Sequence, residues 1–278
     1  AFKLLKDQAG RAALKRYFST HAAIATANGH GFIFESPTWR ASSDWGSKLG
    51  YSEADMAEAN RQSIAMLVEL RGIFETETSP MVISGCVGPR GDGYDPGELM
   101  TADDAEAYHT PQISAFAETE ADMITAITMT NVPEATGLGR AARKPGKPVV
   151  RTATADTDGR LPSGETLREA IETVDSATGN GPAYYMINCA HPDHFMGALE
   201  AGEIWASRIK GVRANASRLS HAELDEAEEL DDGNPEEFGE LHRDLRRMMS
   251  HVNVIGGCCG TDHRHIEAVC QANVARAA

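Results

Sequence analysis

The chain has 278 residues, 41% of them hydrophobic, enough for one large core of the size that single α/β barrels occupy, about 250 residues. Its 26 basic and 41 acidic residues leave a net charge of −15, which argues against nucleic acid or an anionic membrane as partner and for a small molecule. No apolar run approaches the roughly 20 residues of a membrane helix, nothing at the N-terminus reads as a signal segment, and five cysteines in a chain this long suit a reducing cytoplasm better than a disulfide framework.

From Ala1 the segment "AFKLLKDQAGRAALKRYFSTHAAIATANG" is already helical in period, with no strand before it. The first strand candidate is "GFIFES", ending at Ser36, followed by a helix over Glu53 to Leu70. "MVISGC" ends at Cys86, a helix runs from Ala102 to Glu120, and "DMITAIT" ends at Thr128. "KPVVRTAT" ends at Thr154, a helix covers Thr166 to Ser176, and "AYYMINC" ends at Cys189. "IKGVRANA" ends at Ala216. A helical stretch "DEAEELDDGNPEEFGELHRDLRRMMS", whose acidic part reads as a solvated face, then precedes the last strand candidate, "VNVIGGCC", ending at Cys259. Strands alternating with helices imply parallel βαβ units, in an open doubly wound sheet or a closed barrel. An eight-stranded barrel would need its first strand upstream of Ala1, so the chain is expected to be incomplete at that end. Residues 1–278 form one domain on this reading. The Gly- and Pro-rich pieces "GPRGDGYDPGE" and "DTDGRLPSGE" have the length of loops between strand and helix. The first of these lacks the Lys-Ser or Lys-Thr of a phosphate loop.

In a parallel barrel the chemistry gathers at the C-terminal ends of the strands. Those ends read "ESPTW", "CVGPRGD", "TMTN", "TATADTD", "NCAHPDH", "NAS" and "GGCCGTD". Cys189 stands at one such end and the pair Cys258 and Cys259 at another, so three thiols from two strands can meet. Three protein ligands with a fourth position open is the arrangement of catalytic zinc sites, and thiolates are soft ligands that zinc accepts. Gly256, Gly257 and Gly260 permit a bend tight enough to aim two consecutive side chains at one ion. Taken alone, the pair is as compatible with packing, or with the vicinal disulfide of a metal-free thiol-redox protein. Cys86 and Cys270 read as small buried hydrophobes, and His191, His194, His263 and His265 as surface or capping residues. Asn188 and Asn215 either orient a ligand or satisfy loop backbone. Trp39, Trp45 and Tyr94 either cover a cationic donor by cation–π contact or pack the loops.

"GGCCGTDHRHI" together with "NCAHP" resembles the zinc signature of the homocysteine S-methyltransferase family. The likeness extends to "GFIFESPTWRAS", "ISGCVGPRGD", "KPVVRTATADTDGRLPSGETL" and "HAELDEAEELDDGNPEEFGEL", and so covers most of the chain. It implies a (β/α)8 TIM barrel of the α/β class whose first strand is missing from the sequence, binding one zinc ion through Cys189, Cys258 and Cys259. The implied activity is methionine biosynthesis: transfer of a methyl group from a small donor, of the S-methylmethionine or betaine class, to the thiol of homocysteine. The implied partners are these two small molecules, with homo-oligomerisation left open. The candidate substrate contacts are Glu35, Thr38, Asn188, Asn215, Gly256 and Gly257, and no catalytic residue is needed beyond the zinc ligands. Two departures stand out. The family's Asp-Gly-Gly loop is absent, and Ile127 and Thr128 stand where its fourth strand ends in Glu-Thr. Glu35 occupies a position where relatives often carry threonine, and is a candidate to supply the missing carboxylate. A different thiol acceptor, or a non-catalytic barrel that keeps zinc for structure or sensing, remains an alternative.

Overall fold

The structure, a computed structural model, describes residues 1–154, 158–199 and 202–273. A 3-10 turn at Phe2–Lys6 leads into α1 (Gln8–Ala27), β1 (Phe32–Glu35), α2 (Ser43–Lys48) and α3 (Glu53–Phe74). Three strand–helix units follow: β2 (Met81–Val87) with α4 (Ala102–Ala117), β3 (Met123–Met129) with α5 (Val132–Arg143), and β4 (Val149–Thr154) with α6 (Leu167–Thr178). After β5 (Tyr184–Asn188) come the single turns α7 (Pro192–Phe195) and α8 (Ile204–Ser207), then β6 (Ile209–Ala214), α9 (His221–Glu226) and α10 (Pro235–Met248). The described chain closes with β7 (Val254–Gly257) and α11 (His263–Asn273).

All seven expected strands form, and they pair in parallel as one sheet in sequence order, β1 to β7. Each strand hands the chain to the next through a crossover, usually a helix, so every strand's C-terminal end opens on the same rim. Burial divides the side chains between the sheet's two faces. Val150, Met123 and Met186 cluster on one face with Ile33, Val82, Tyr184 and Val254, from strands spread across the whole sheet. Residues such as Phe34, Ile83, Ile124, Val149, Ile187 and Val212 pack the other face against the helices. Side chains from both ends of the sheet meet on the inner face only if the sheet curls, which gives a (β/α)8 barrel with seven of its eight strands among the described residues.

Local chemistry sets the helix starts. Ser52 with Asp55, Thr166 with Glu169 and Ser220 with Glu223 form reciprocal capping boxes at α3, α6 and α9. The long acidic stretch before the last strand departs from expectation. It is not one helix: α9 stops at Glu226, and α10 starts only after Gly233, with φ +57, and the Asn234 cap followed by Pro235. The acidic residues Glu228, Glu229, Asp231 and Asp232 therefore lie in the connection, most of it exposed, rather than on a helix face. Residues 155–157 of the strand-end segment "TATADTD" lie outside the described residues.

Candidate metal and substrate site

Cys189 follows β5 directly and Cys258 and Cys259 follow β7, on the common rim. The end of β6 lies between the two segments and joins them. The Cys189 amide donates to the Arg213 carbonyl at 3.1 Å, and the Cys258 amide to the Ala214 carbonyl at 2.8 Å. The Ala216 amide donates to the Cys259 carbonyl at 3.0 Å, while the Asn215 side chain accepts the Cys259 amide at 3.1 Å. With the backbones held this way, the three sulfurs lie within 4.8 Å of one another. Burial falls from Cys189 through Cys258 to the exposed Cys259, so the cluster is open on one side.

The glycines of the last turn are there for space and for backbone shape. A Cβ on Gly257 would sit 2.0 Å from the Thr261 hydroxyl, and Gly260 adopts φ +76, a region that L side chains rarely enter. Two non-glycine residues on the rim share that left-handed region, Cys189 at φ +56 and Thr128 at φ +65. For a β-branched threonine this is a strained conformation, and strain of this kind persists only where surrounding contacts impose it. Here the Thr128 amide donates to the Thr152 hydroxyl at 2.9 Å. The Asn188 amide group also bridges Thr128 Oγ1, at 3.2 Å, and Cys189 Sγ, at 3.1 Å.

Three thiols this close cannot hold three independent charges. Cys189 is pushed well above the ordinary thiol value, first by donating to Cys258 and Cys259 and then by burial. Cys259 is held far below it, because Cys189, Cys258 and the Tyr94 hydroxyl all donate to its sulfur. The bare cluster thus favours one thiolate flanked by thiols, and a dication at its centre is what allows all three to ionise. Among the described residues this is the one group of three metal-capable side chains so placed, and it can bind a metal ion.

Glu35 and Arg213, from strands far apart in the sequence, form an ion pair inside the barrel. Burial works against the Arg213 charge, but Glu35, Cys258, Cys86 and Cys189 more than offset it and hold the guanidinium above its usual range. Thr38 is fully buried, and its hydroxyl is committed to Ser36 and to the Cys86 carbonyl, at 2.8 Å, rather than to the sulfurs. Gly256 faces the Arg213 stem, which a Cβ would approach to 3.3 Å. Of the three loop aromatics, Tyr94 reaches the cluster: its hydroxyl lies 3.1 Å from Cys259 Sγ and its ring stacks on His221 at 4.0 Å. Burial, then the neighbouring Cys189 sulfur, raise the Tyr94 phenol and keep it an O–H donor. Trp39 already carries Arg40 on its ring at 4.1 Å, and Trp45 carries Arg40 and Lys48, so both faces serve the chain's own cations.

The histidines cap. His191 precedes α7 and accepts the Asp193 amide, and His265 accepts the Asp262 amide and donates to the Asp232 carbonyl, while His263 is exposed. Cys86 and Cys270 are buried, as small apolar residues would be. Sequence reasoning passed over Arg213 and His221. Period-two counting along "IKGVRANA" carries the signal for Arg213, since it shares the inward face with Asn215. No local signal marks His221, which only the fold brings to Tyr94.

Two structures of the homocysteine methyltransferase MmuM from Escherichia coli share this architecture. The oxidized form superposes with a TM-score of 0.75 at 17% identity, covering 96% of this chain and 86% of that one. The metallated form gives 0.72 at 16% identity, covering 95% and 88%. No curated protein sequence matches the chain at a significant level. The family model for homocysteine S-methyltransferase matches residues 8–273. That match spans nearly every element described above, from α1 to α11, and the chain accordingly belongs to the homocysteine S-methyltransferase family and is a methyltransferase.

Proposed function

We propose that the protein methylates the thiol of homocysteine to give methionine, with one zinc ion held by Cys189, Cys258 and Cys259. The methyl donor is a small sulfonium or quaternary ammonium compound of the S-methylmethionine or betaine class. The observation that carries this reading is the approach of three sulfurs within 4.8 Å on the open rim of the barrel. An all-sulfur donor set with three members suits zinc and leaves room for a substrate. Zinc so bound would supply the one thing the acceptor lacks at neutral pH, because a free thiol has a pKa of about 8.5 and only the thiolate attacks.

The protein's own groups then bind and orient. The acceptor thiol loses its proton to solvent, its sulfur forms a bond to the donor's methyl carbon, and the donor's S–CH3 or N–CH3 bond breaks with the electron pair leaving on the donor atom. Glu35 and Arg213 offer a counter-charge for the ammonium and the carboxylate of an amino-acid acceptor, which is where the missing fourth-strand carboxylate is compensated. Asn215 fixes the Cys259 amide and Asn188 fixes Cys189, so both ends of the sulfur cluster are positioned by amides from the rim. Tyr94 donates to Cys259 from a ring that stacks on His221.

The test is methyl transfer from isotopically labelled S-methylmethionine or betaine to homocysteine by the zinc-loaded protein. Labelled methionine is expected with one of these donors, and Cys258→Ala is expected to lose both the metal and the turnover. Zinc retained with no turnover on any sulfonium or ammonium donor would favour a non-catalytic barrel. A metal-free protein with Cys258 and Cys259 oxidised would favour thiol-redox chemistry.

A further inference from the structure

The loop that carries Tyr94 to the sulfurs is held from a distance. Residues 88–101, between β2 and α4, form neither helix nor strand, so their path over the rim is set by what their backbone is tied to. The Gly88 amide donates to the Trp39 carbonyl at 3.1 Å, and the Thr154 hydroxyl donates to the Gly93 carbonyl at 3.2 Å. Gly93 lies against Thr128, whose Cγ2 an added Cβ would approach to 2.8 Å. Arg40 also bonds the Gly91 carbonyl, and the Arg90 guanidinium bonds Asp44 at 2.9 Å, but the Arg90 and Asp44 side chains are solvent-exposed, where such pairs contribute little.

One tie is of a different kind. The Arg90 amide donates at 2.7 Å to Glu134, on α5, whose side chain is only 5% exposed. The same carboxylate oxygen meets Nε2 of the fully buried His109, from α4, at 3.0 Å, and the other oxygen accepts the Asn131 side-chain amide at 3.3 Å. Burial pushes the Glu134 carboxyl up, yet the His109, Arg90 and Asn131 donors outweigh it and hold the group below the usual carboxylate range. An ionised carboxylate only accepts, so His109 presents Nε2–H to it, which leaves Nδ1 buried and without a partner among the described residues. Burying a carboxylate and an imidazole between α4 and α5 costs free energy that two apolar side chains would not. What this pair supplies, and an apolar pair could not, is a fixed acceptor for the backbone at Arg90, in the loop whose Tyr94 reaches Cys259.

We propose that Glu134 and His109 are positioning residues: the buried pair fixes the Arg90 amide and so sets the Tyr94 hydroxyl against Cys259, although neither side chain belongs to the sulfur cluster. Any effect on turnover depends on the proposed methyl transfer, but the contact itself needs no metal. A double-mutant cycle on the metal-free protein therefore tests it, with alkylation of Cys259 by iodoacetamide as the readout and mass spectrometry to locate the label. Tyr94→Phe removes the hydroxyl at the end of the loop, and Glu134→Gln removes the charged acceptor at its root. Each is expected to change the Cys259 rate several-fold in the same direction, and the double variant by no more than the larger of the two, because both remove one contact. His109→Leu is expected to repeat the effect of Glu134→Gln, whereas His109→Gln, whose amide N–H reaches the same point, is expected to behave as native. In the zinc-loaded enzyme the same coupling is expected in kcat/KM. A Cys259 rate unmoved by Glu134→Gln, or effects of the two substitutions that multiply, overturns the proposal whatever metal or donor the protein uses. If Glu134→Gln does not fold, the cycle of His109→Leu with Tyr94→Phe decides by the same criterion.

Discussion

At the scale of single residues the rim owes its geometry to amides and one phenol rather than to the cysteines themselves. Asn215 and Asn188 each touch a cysteine segment, and Tyr94 touches the sulfur that is most exposed. Groups that orient or polarise a metal ligand from outside typically carry about 10- to 100-fold in metal affinity or activity. Tyr94→Phe keeps the ring on His221 and removes only the hydroxyl, so a loss of about tenfold or more in kcat/KM, or in zinc affinity measured by competition with a chelator, is expected without loss of fold. An unchanged variant would show that the 3.1 Å contact to Cys259 is incidental. The three cysteines and both asparagines were legible in the sequence because each stands at the C-terminal end of a β-rich run. Tyr94 was legible only as an aromatic in a Gly-rich loop. Its contact with Cys259 joins residues 165 positions apart, and the Glu35–Arg213 pair joins residues 178 apart, separations over which local pattern carries no information.

At the scale of elements, helices α10 and α11 pack together and bury His242 at 0% exposure. Its Nδ1–H donates to the Phe238 carbonyl at 2.7 Å, its ring lies 4.3 Å from that of Phe238, and Nε2 has no partner among the described residues. Burial lowers its pKa from 6.5 to about 4, against the opposing pull of the Phe238 carbonyl. Above pH 6.5 the ring is neutral in both folded and unfolded chains, and the helix pair has its full stability. As pH falls from 6.5 to about 4 the unfolded chain takes up a proton that the folded one refuses. Stability then drops by up to about 3 kcal/mol. Guanidinium unfolding at about pH 7.5 and about pH 5 checks this: the midpoint is expected to fall on acidification, and His242→Gln is expected to flatten that dependence. Element boundaries were readable where a cap spelled them out, as at Ser52 and Thr166. The acidic run before α10 was misread because glutamate and aspartate favour a helix start as readily as a helix interior, and only Gly233 with Asn234 and Pro235 announces the break.

For the whole molecule, the cysteine site links β5 to β7 across β6, so a metal held there ties together one side of an arc whose β1 and β7 edges do not pair with each other among the described residues. A ligand present at about 100 times its dissociation constant stabilises a fold by about 2.7 kcal/mol, and about 1 kcal/mol moves Tm by about 2–4 °C in a chain of 150–250 residues. Chelation of zinc is therefore expected to lower Tm by roughly 5–10 °C in the native protein and to leave Cys258→Ala unmoved. The alternation of apolar runs and helical periods made the seven parallel strands readable from sequence, while their barrel order followed only from the family resemblance. Curvature was not readable, because it emerges only when side chains as distant as Ile33 and Val254 meet inside. The central claim is that three named sulfurs hold zinc and leave a place for the acceptor thiol. X-ray absorption at the zinc edge counts those sulfurs directly. A shell of three sulfurs in the native protein, and one more after homocysteine is added, is the expected outcome, whereas a nitrogen- and oxygen-dominated shell, or a sulfur count indifferent to homocysteine, would contradict it.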